Sequence, residues 1–142
     1  MHVLSIDSAR TYLERVKTDG DECEALFRDL LINVTRFFRD ADLFDALRTK
    51  VVEPLLRDRA PDEELRVWVP GCSSGEEAYS IAMLFAESAR ATGRPAPVQI
   101  FATDIDEQML QIAREGSYPN SALADIPSPM RERWTVARGD RF

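Results

Sequence analysis

Apolar positions recur at three- and four-residue spacing through most of the chain, and two short runs of apolar and β-branched residues interrupt that rhythm. The spacing predicts a first helix over residues 5 to 18, where Ala9, Tyr12, Leu13 and Val16 share a face, with Ser5 or Asp7 as cap and Gly20 just past the end. Asp19 to Glu24 reads as an acidic turn. Leu26, Phe27, Leu30, Leu31 and Val34 then mark a second helix ending near Asn33. Asp42 can cap a third, built on Leu43, Leu47, Val51 and Leu55. Pro54 inside it predicts a kink or a fresh turn, because proline has no backbone donor. The charged stretch Arg57 to Glu64, with Pro61, reads as a linker.

The first interrupting run, Leu65 to Val69, predicts a buried strand. The small residues Gly71, Cys72, Ser73, Ser74 and Gly75 follow it, and then a helix with Ala78, Ile81, Ala82 and Phe85 on its inner face. Ser74 or Gly75 can cap that helix, and Glu76 and Glu77 suit its positive N-terminus. Ala91 to Pro97 stops it. Val98 to Thr103 predicts a second buried strand, and strand, helix and strand joined over about thirty residues imply a right-handed crossover and parallel pairing. Asp106 caps a further helix bearing Met109, Leu110 and Ala113 and closed by Gly116; beyond it, repeated prolines break the chain before a short helix from Pro129 to Trp134. The expected class is α/β: a helical subdomain over residues 1–60, then part of a Rossmann-like domain with a parallel sheet over 61–142.

Composition narrows the chemistry. Eighteen basic against twenty-five acidic residues leave a net charge of −7, which repels phosphate backbones, so nucleic acid is not expected as a partner and a small or basic one is. No apolar run reaches membrane-spanning length and no leader pattern opens the chain, so we expect no membrane insertion and a cytoplasmic location. Cys23 and Cys72 stand without C-x-x-C partners and the only histidine is His2; no metal site or catalytic triad is expected, and both thiols read as buried fillers.

The strand, glycine-bearing loop and helix followed by an acid at the tip of the next strand is an arrangement that holds an adenosine ribose. Gly71, Ser73 and Gly75 let backbone approach the ligand, and Asp104 can accept bonds from both ribose hydroxyls; alternatively it caps the next turn. A dinucleotide's pyrophosphate would meet Glu76 and Glu77, whereas a sulfonium with an amino-acid tail would not be repelled. S-adenosylmethionine therefore fits better than NAD. Ahead of the loop, Asn33-Val34-Thr35-Arg36-Phe37-Phe38-Arg39-Asp40 places two aromatics between arginines, the aromatics reading as core.

These three stretches, Asn33-x-Thr35-x-Phe37-Phe38-Arg39-Asp40, Gly71-Cys72-Ser73-Ser74-Gly75-Glu76-Glu77-x-Tyr79-Ser80 and Phe101-Ala102-Thr103-Asp104-Ile105-Asp106, resemble in order the chemotaxis receptor methyltransferases of the CheR type. The wording of the first looks most like members fused to methylesterase and sensor modules. The resemblance implies methyl transfer from S-adenosyl-L-methionine, leaving S-adenosyl-L-homocysteine, to glutamate side chains on the cytoplasmic domains of chemoreceptors. It places cofactor contacts on Asn33, Thr35, Arg39, Glu77 and Asp104, to which Gly71, Ser73 and Gly75 of the loop and Ile105 beside the acid are added. Arg39 would be catalytic, beside the transferring methyl group; otherwise it would pair with Asp40 or Asp42. A glutamate carboxylate is already ionised at pH 7, so the reaction needs orientation rather than a general base.

The family continues past this length with further strands and a receptor-docking subdomain, so the chain is expected to be a fragment that self-associates through open sheet edges or is catalytically silent. The competing readings are a non-catalytic cofactor-binding or signalling module within a multidomain sensor and, more weakly, an NAD-binding fragment.

Overall fold

A computed structural model describes residues 8–31, 33–60, 63–93 and 97–142, in two compact units, residues 1–32 and 33–142. The first unit is a helical hairpin, α1 (Ala9–Thr18) and α2 (Gly20–Leu30). Ser8, not an earlier residue, caps α1 by accepting from the Thr11 amide at 3.1 Å; Ser5 and Asp7 lie outside the described residues. The expected acidic turn is instead the start of α2. Asp19 accepts from the Glu22 amide at 3.2 Å, so one residue ends α1 and caps α2. The helix stops at Leu30, short of Asn33. The Tyr12 hydroxyl donates to Glu22 across the hairpin at 2.9 Å, and Cys23, expected inside, is exposed.

In the second unit, α3 (Ala41–Leu47) and α4 (Glu53–Asp58) are joined by a π-helical turn, Arg48–Val52. Asp40, not Asp42, occupies the cap position of α3. Pro54 explains the wide turn: it offers no N–H and its ring crowds the carbonyl one turn back, and the Glu53 amide reaches Arg48 instead. Then come β1 (Leu65–Pro70), α5 (Glu76–Thr92), β2 (Val98–Thr103), α6 (Glu107–Glu115), a 3₁₀ stretch (Asn120–Asp125) and α7 (Ser128–Trp134). The strands pair in parallel from Leu65 opposite Val98 to Pro70 opposite Thr103, as the crossover predicts. Gly93, left-handed at φ +65°, ends α5; residues 94–96, part of the expected stop, and Pro61 of the linker lie outside the described residues.

Among the described residues, two apolar clusters hold this unit together. Val52, Leu56, Leu84, Phe85 and Ala89 pack with Leu65, Val67 and Val98 under the sheet, while Phe37, Phe38, Met83, Tyr118 and Ile126 form the other. Each large side chain so buried contributes about 1.5–3 kcal/mol. The strands are not buried on both faces as their sequences suggest. Trp68 and Phe101, opposite each other in the register, are 68% and 45% exposed, because α5 covers only the face of Leu65, Val67 and Val69. Beyond α7 the chain returns: Tyr118 and Phe142 exchange both backbone hydrogen bonds, at 3.0 and 2.9 Å, in an antiparallel contact the sequence does not announce.

Candidate functional site

Three left-handed residues shape the loop between β1 and α5: Gly71 at φ +65°, Ser73 at +48° and Gly75 at +99°. A Cβ at Gly75 would stand 2.9 Å from both the Ala113 Cβ and the Tyr118 hydroxyl, so packing as well as conformation demands glycine there. At Gly71 a Cβ would meet nothing within 4 Å, which leaves the backbone open to approach. Ser73 bears its positive φ with a side chain, a strained conformation typical of functional loops.

That strain is offset by contacts with the end of β2. The Ser73 amide donates to Oδ2 of Asp104 at 2.7 Å and the Cys72 amide to the Thr103 carbonyl at 3.0 Å. Oδ1 of Asp104 accepts from the Asp106 amide at 2.9 Å, so the turn-capping geometry weighed from sequence is present too. A carboxylate accepts about four hydrogen bonds, so capacity for hydroxyl donors is left. The Ser73 hydroxyl is buried without a hydrogen-bond partner. An orphaned donor in a strained, glycine-flanked loop is what a ligand's polar atom would satisfy.

Asp106 caps α6 through the amides of Gln108 (2.9 Å) and Met109 (3.2 Å), as expected, and its second oxygen accepts from the Asn33 amide group at 2.9 Å. The Asn33 motif is thereby fixed to the turn that carries Asp104. Within that motif Phe37 and Phe38 are buried, as read from sequence. Phe38 takes φ +47°, rare for a bulky residue, and is held there by its amide, which donates to the Ser80 hydroxyl at 2.9 Å; Ser80 in turn donates to the Glu76 carbonyl at 2.7 Å. Thr35 is half-buried. Arg39 is exposed and donates to the Val34 carbonyl at 3.0 Å, within its own motif, instead of pairing with Asp40 or Asp42.

Glu76 accepts from the Ser74 hydroxyl at 2.6 Å, whereas Glu77 is exposed on the first turn of α5. Burial foremost, then the negative charge of Asp104 and, more weakly, of Glu77, pushes the Cys72 thiol up, so both carboxylates bear on the loop. A cavity of about 450 Å³ lies alongside, walled by Ala78, Ala82, Ile100, Ala102 and Leu110 and reaching Gly75 and Asp104.

The structure thus brings together Asn33, Ser73, Gly75 and Asp104, with Asp106 as the link; it leaves the Arg39 head group bonded within its own loop and Ile105 72% exposed. Sequence reasoning gave Asp106 only a capping role and passed over Ser80 and Tyr118. Ser80 did carry a signal, a polar residue on the inward stripe of α5 with Met83 and Leu84. Tyr118, beside a proline in an aperiodic segment, carried none.

Comparison with known proteins supplies a family. Residues 33–142 match the family model described as CheR methyltransferase, SAM binding domain, SAM being S-adenosylmethionine. A chemotaxis protein methyltransferase of Borreliella burgdorferi is 38% identical over 134 residues, 92% of this chain and 47% of that protein. Chemotaxis protein methyltransferase 2 of Vibrio cholerae is 33% identical over 130 residues, covering 92% and 44%. A Rhodobacter capsulatus protein named only as an uncharacterized 104.1 kDa protein in the hypE 3' region is 39% identical over all of this chain, which spans 15% of it. The chain therefore spans about half the length of the methyltransferases it matches and a small part of the larger relative. From the loop tied to Asp104, the motif tied to Asp106 and a match that begins at Asn33, the chain belongs to the CheR methyltransferase family, as its S-adenosylmethionine-binding domain.

Proposed function

We propose that this chain is the cofactor-binding part of an enzyme that transfers a methyl group from S-adenosylmethionine to glutamate carboxylates on the cytoplasmic domains of chemoreceptors. In this reading residues 1–60 serve as its helical part, 61–142 as the start of its Rossmann-like part, and the enzyme works in the cytoplasm. The observation that carries the reading is the Ser73 amide held on Asp104 beside an orphaned Ser73 hydroxyl. The residues present fit the cofactor. Asp104 has acceptor capacity for a ribose, Gly71 leaves open space above the backbone, and Glu77 and Asp104 supply negative charge toward a sulfonium. Asn33, Thr35, Gly75 and Ile105 complete the proposed contacts.

When bound, S-adenosylmethionine supplies an electrophilic methyl on its sulfonium. The protein's tasks are then to bind, orient and exclude water. Asp106 fixes Asn33, the Phe38–Ser80 link sets the backbone leading into Arg39, and Arg39, exchanging the Val34 carbonyl for a forked contact, orients the incoming glutamate carboxylate. A second reading is a module that binds cofactor inside a multidomain sensor without catalysis; the small share of the 104.1 kDa relative spanned here favours a larger parent protein and leaves the catalysis to experiment. Transfer of a labelled methyl group to receptor-bearing membranes by the whole protein separates the two: base-labile label on receptor supports the enzyme, and cofactor binding without label supports the module.

A further inference from the structure

We infer that Tyr118 is a positioning residue for the cofactor loop, acting through the Ser74 peptide; this rests on the cofactor reading above. Its hydroxyl donates to the Ser74 carbonyl at 2.6 Å. The amide of the same peptide, on Gly75, donates to the Cys72 carbonyl at 2.9 Å. One peptide plane is thus gripped at both ends, directly between Ser73, whose amide meets Asp104, and the start of α5. A peptide pinned in this way cannot rotate, so the amides on either side keep their direction before any ligand arrives.

Tyr118 is itself immobilised. It is 4% exposed, its backbone is paired at both N–H and C=O with Phe142, and its ring meets Phe37 edge-on at 4.9 Å and Tyr79 at 6.0 Å. Through Phe37 the same ring seats the Asn33–Asp40 motif. Gly75 completes the arrangement, since a Cβ there would come within 2.9 Å of the Tyr118 oxygen. Burial raises the phenol's pKa, so it remains a neutral donor throughout the physiological range.

The test is Tyr118→Phe in the whole protein, with S-adenosyl-L-homocysteine affinity measured by calorimetry below the melting point of every variant. The ring and its packing remain; only the hydroxyl goes. We expect affinity to fall about tenfold, equivalent to about 1.4 kcal/mol. Val52→Ala, in the other cluster, is the control for destabilisation alone and should bind like the unaltered protein. A double variant with Asp104→Asn should lose less than the sum of the two, since both act through one loop. Unchanged affinity in Tyr118→Phe, an equal loss in Val52→Ala, or strict additivity overturns the inference while the cofactor reading stands. Failure of the unaltered whole protein to bind overturns both.

Discussion

The Ser73 amide nitrogen lies 2.7 Å from Oδ2 of Asp104, a bond that crosses from the loop after β1 to the tip of β2. One carboxylate thereby sets the loop's shape and is offered to a ribose. Asp104→Ala should weaken binding of S-adenosyl-L-homocysteine by about 1.5–3 kcal/mol and also lower the melting temperature, because the Ser73 and Asp106 amides both lose their acceptor. Calorimetry and thermal melts on one preparation check this; full affinity with a lowered melting point would reduce Asp104 to a turn cap.

Ser80→Ala leaves the buried Phe38 amide without an acceptor at a positive φ. The expected cost is about 1–3 kcal/mol. Urea titration should show a lower midpoint with an unchanged slope, the mark of lost stability rather than altered compactness.

Arg39 is exposed and, among the described residues, bonds only within its own motif, so its removal should barely disturb the fold. In the whole enzyme, Arg39→Ala should lower kcat more than cofactor affinity, and Arg39→Lys should not restore it, because an ammonium lacks the planar fork. Steady-state kinetics at saturating cofactor decide this.

Tyr118 gives the fold an alkaline limit. Burial, then the charge of Glu76, raises its pKa above the ordinary value of 10.0, so the folded chain keeps a proton that the unfolded chain releases. Its contribution to stability is whole below about pH 10 and is lost as pH rises further. Melting temperatures should fall over that range, less steeply in Tyr118→Phe, and tyrosinate absorbance of the native protein should rise late.

Trp68 and Phe101 face each other on the uncovered side of a two-stranded sheet whose outer edges are unpaired among the described residues. The isolated 142-residue chain should associate with itself there, since a charge of −7 repels weakly where the Debye length is about 8 Å. Light scattering should report oligomers that Trp68→Lys disperses; a monomeric unaltered chain would contradict this.

The parts legible in the sequence are those with a local cause. Both strands, α5, the Asp106 cap, the Gly116 stop and the position of Asp104 just past the tip of β2 follow from periodicity and capping chemistry. Asp19 was misread because an acidic run looks like a turn, although its side chain serves better as the cap of α2. Tyr118 and the Phe38–Ser80 and Asn33–Asp106 bonds escaped because each depends on residues far apart in sequence; Asn33 and Asp106 stand 73 positions apart. Exposure of Trp68 was illegible for a related reason: a strand's own residues do not reveal how many of its faces are covered.

The parallel register of β1 and β2 also bears on how the chain acquires its structure. Leu65 cannot meet Val98 until the whole of α5 has formed or collapsed between them, so the ladder rewards the chain only after the loop entropy of the crossover has been overcome. The Cys72 and Ser73 amides bond to the far end of β2, so the loop reaches its final shape with the last of that zippering rather than with the helix it precedes. In pulse-labelled hydrogen exchange, α5 amides should gain protection ahead of those of Val67, Val69 and Ser73.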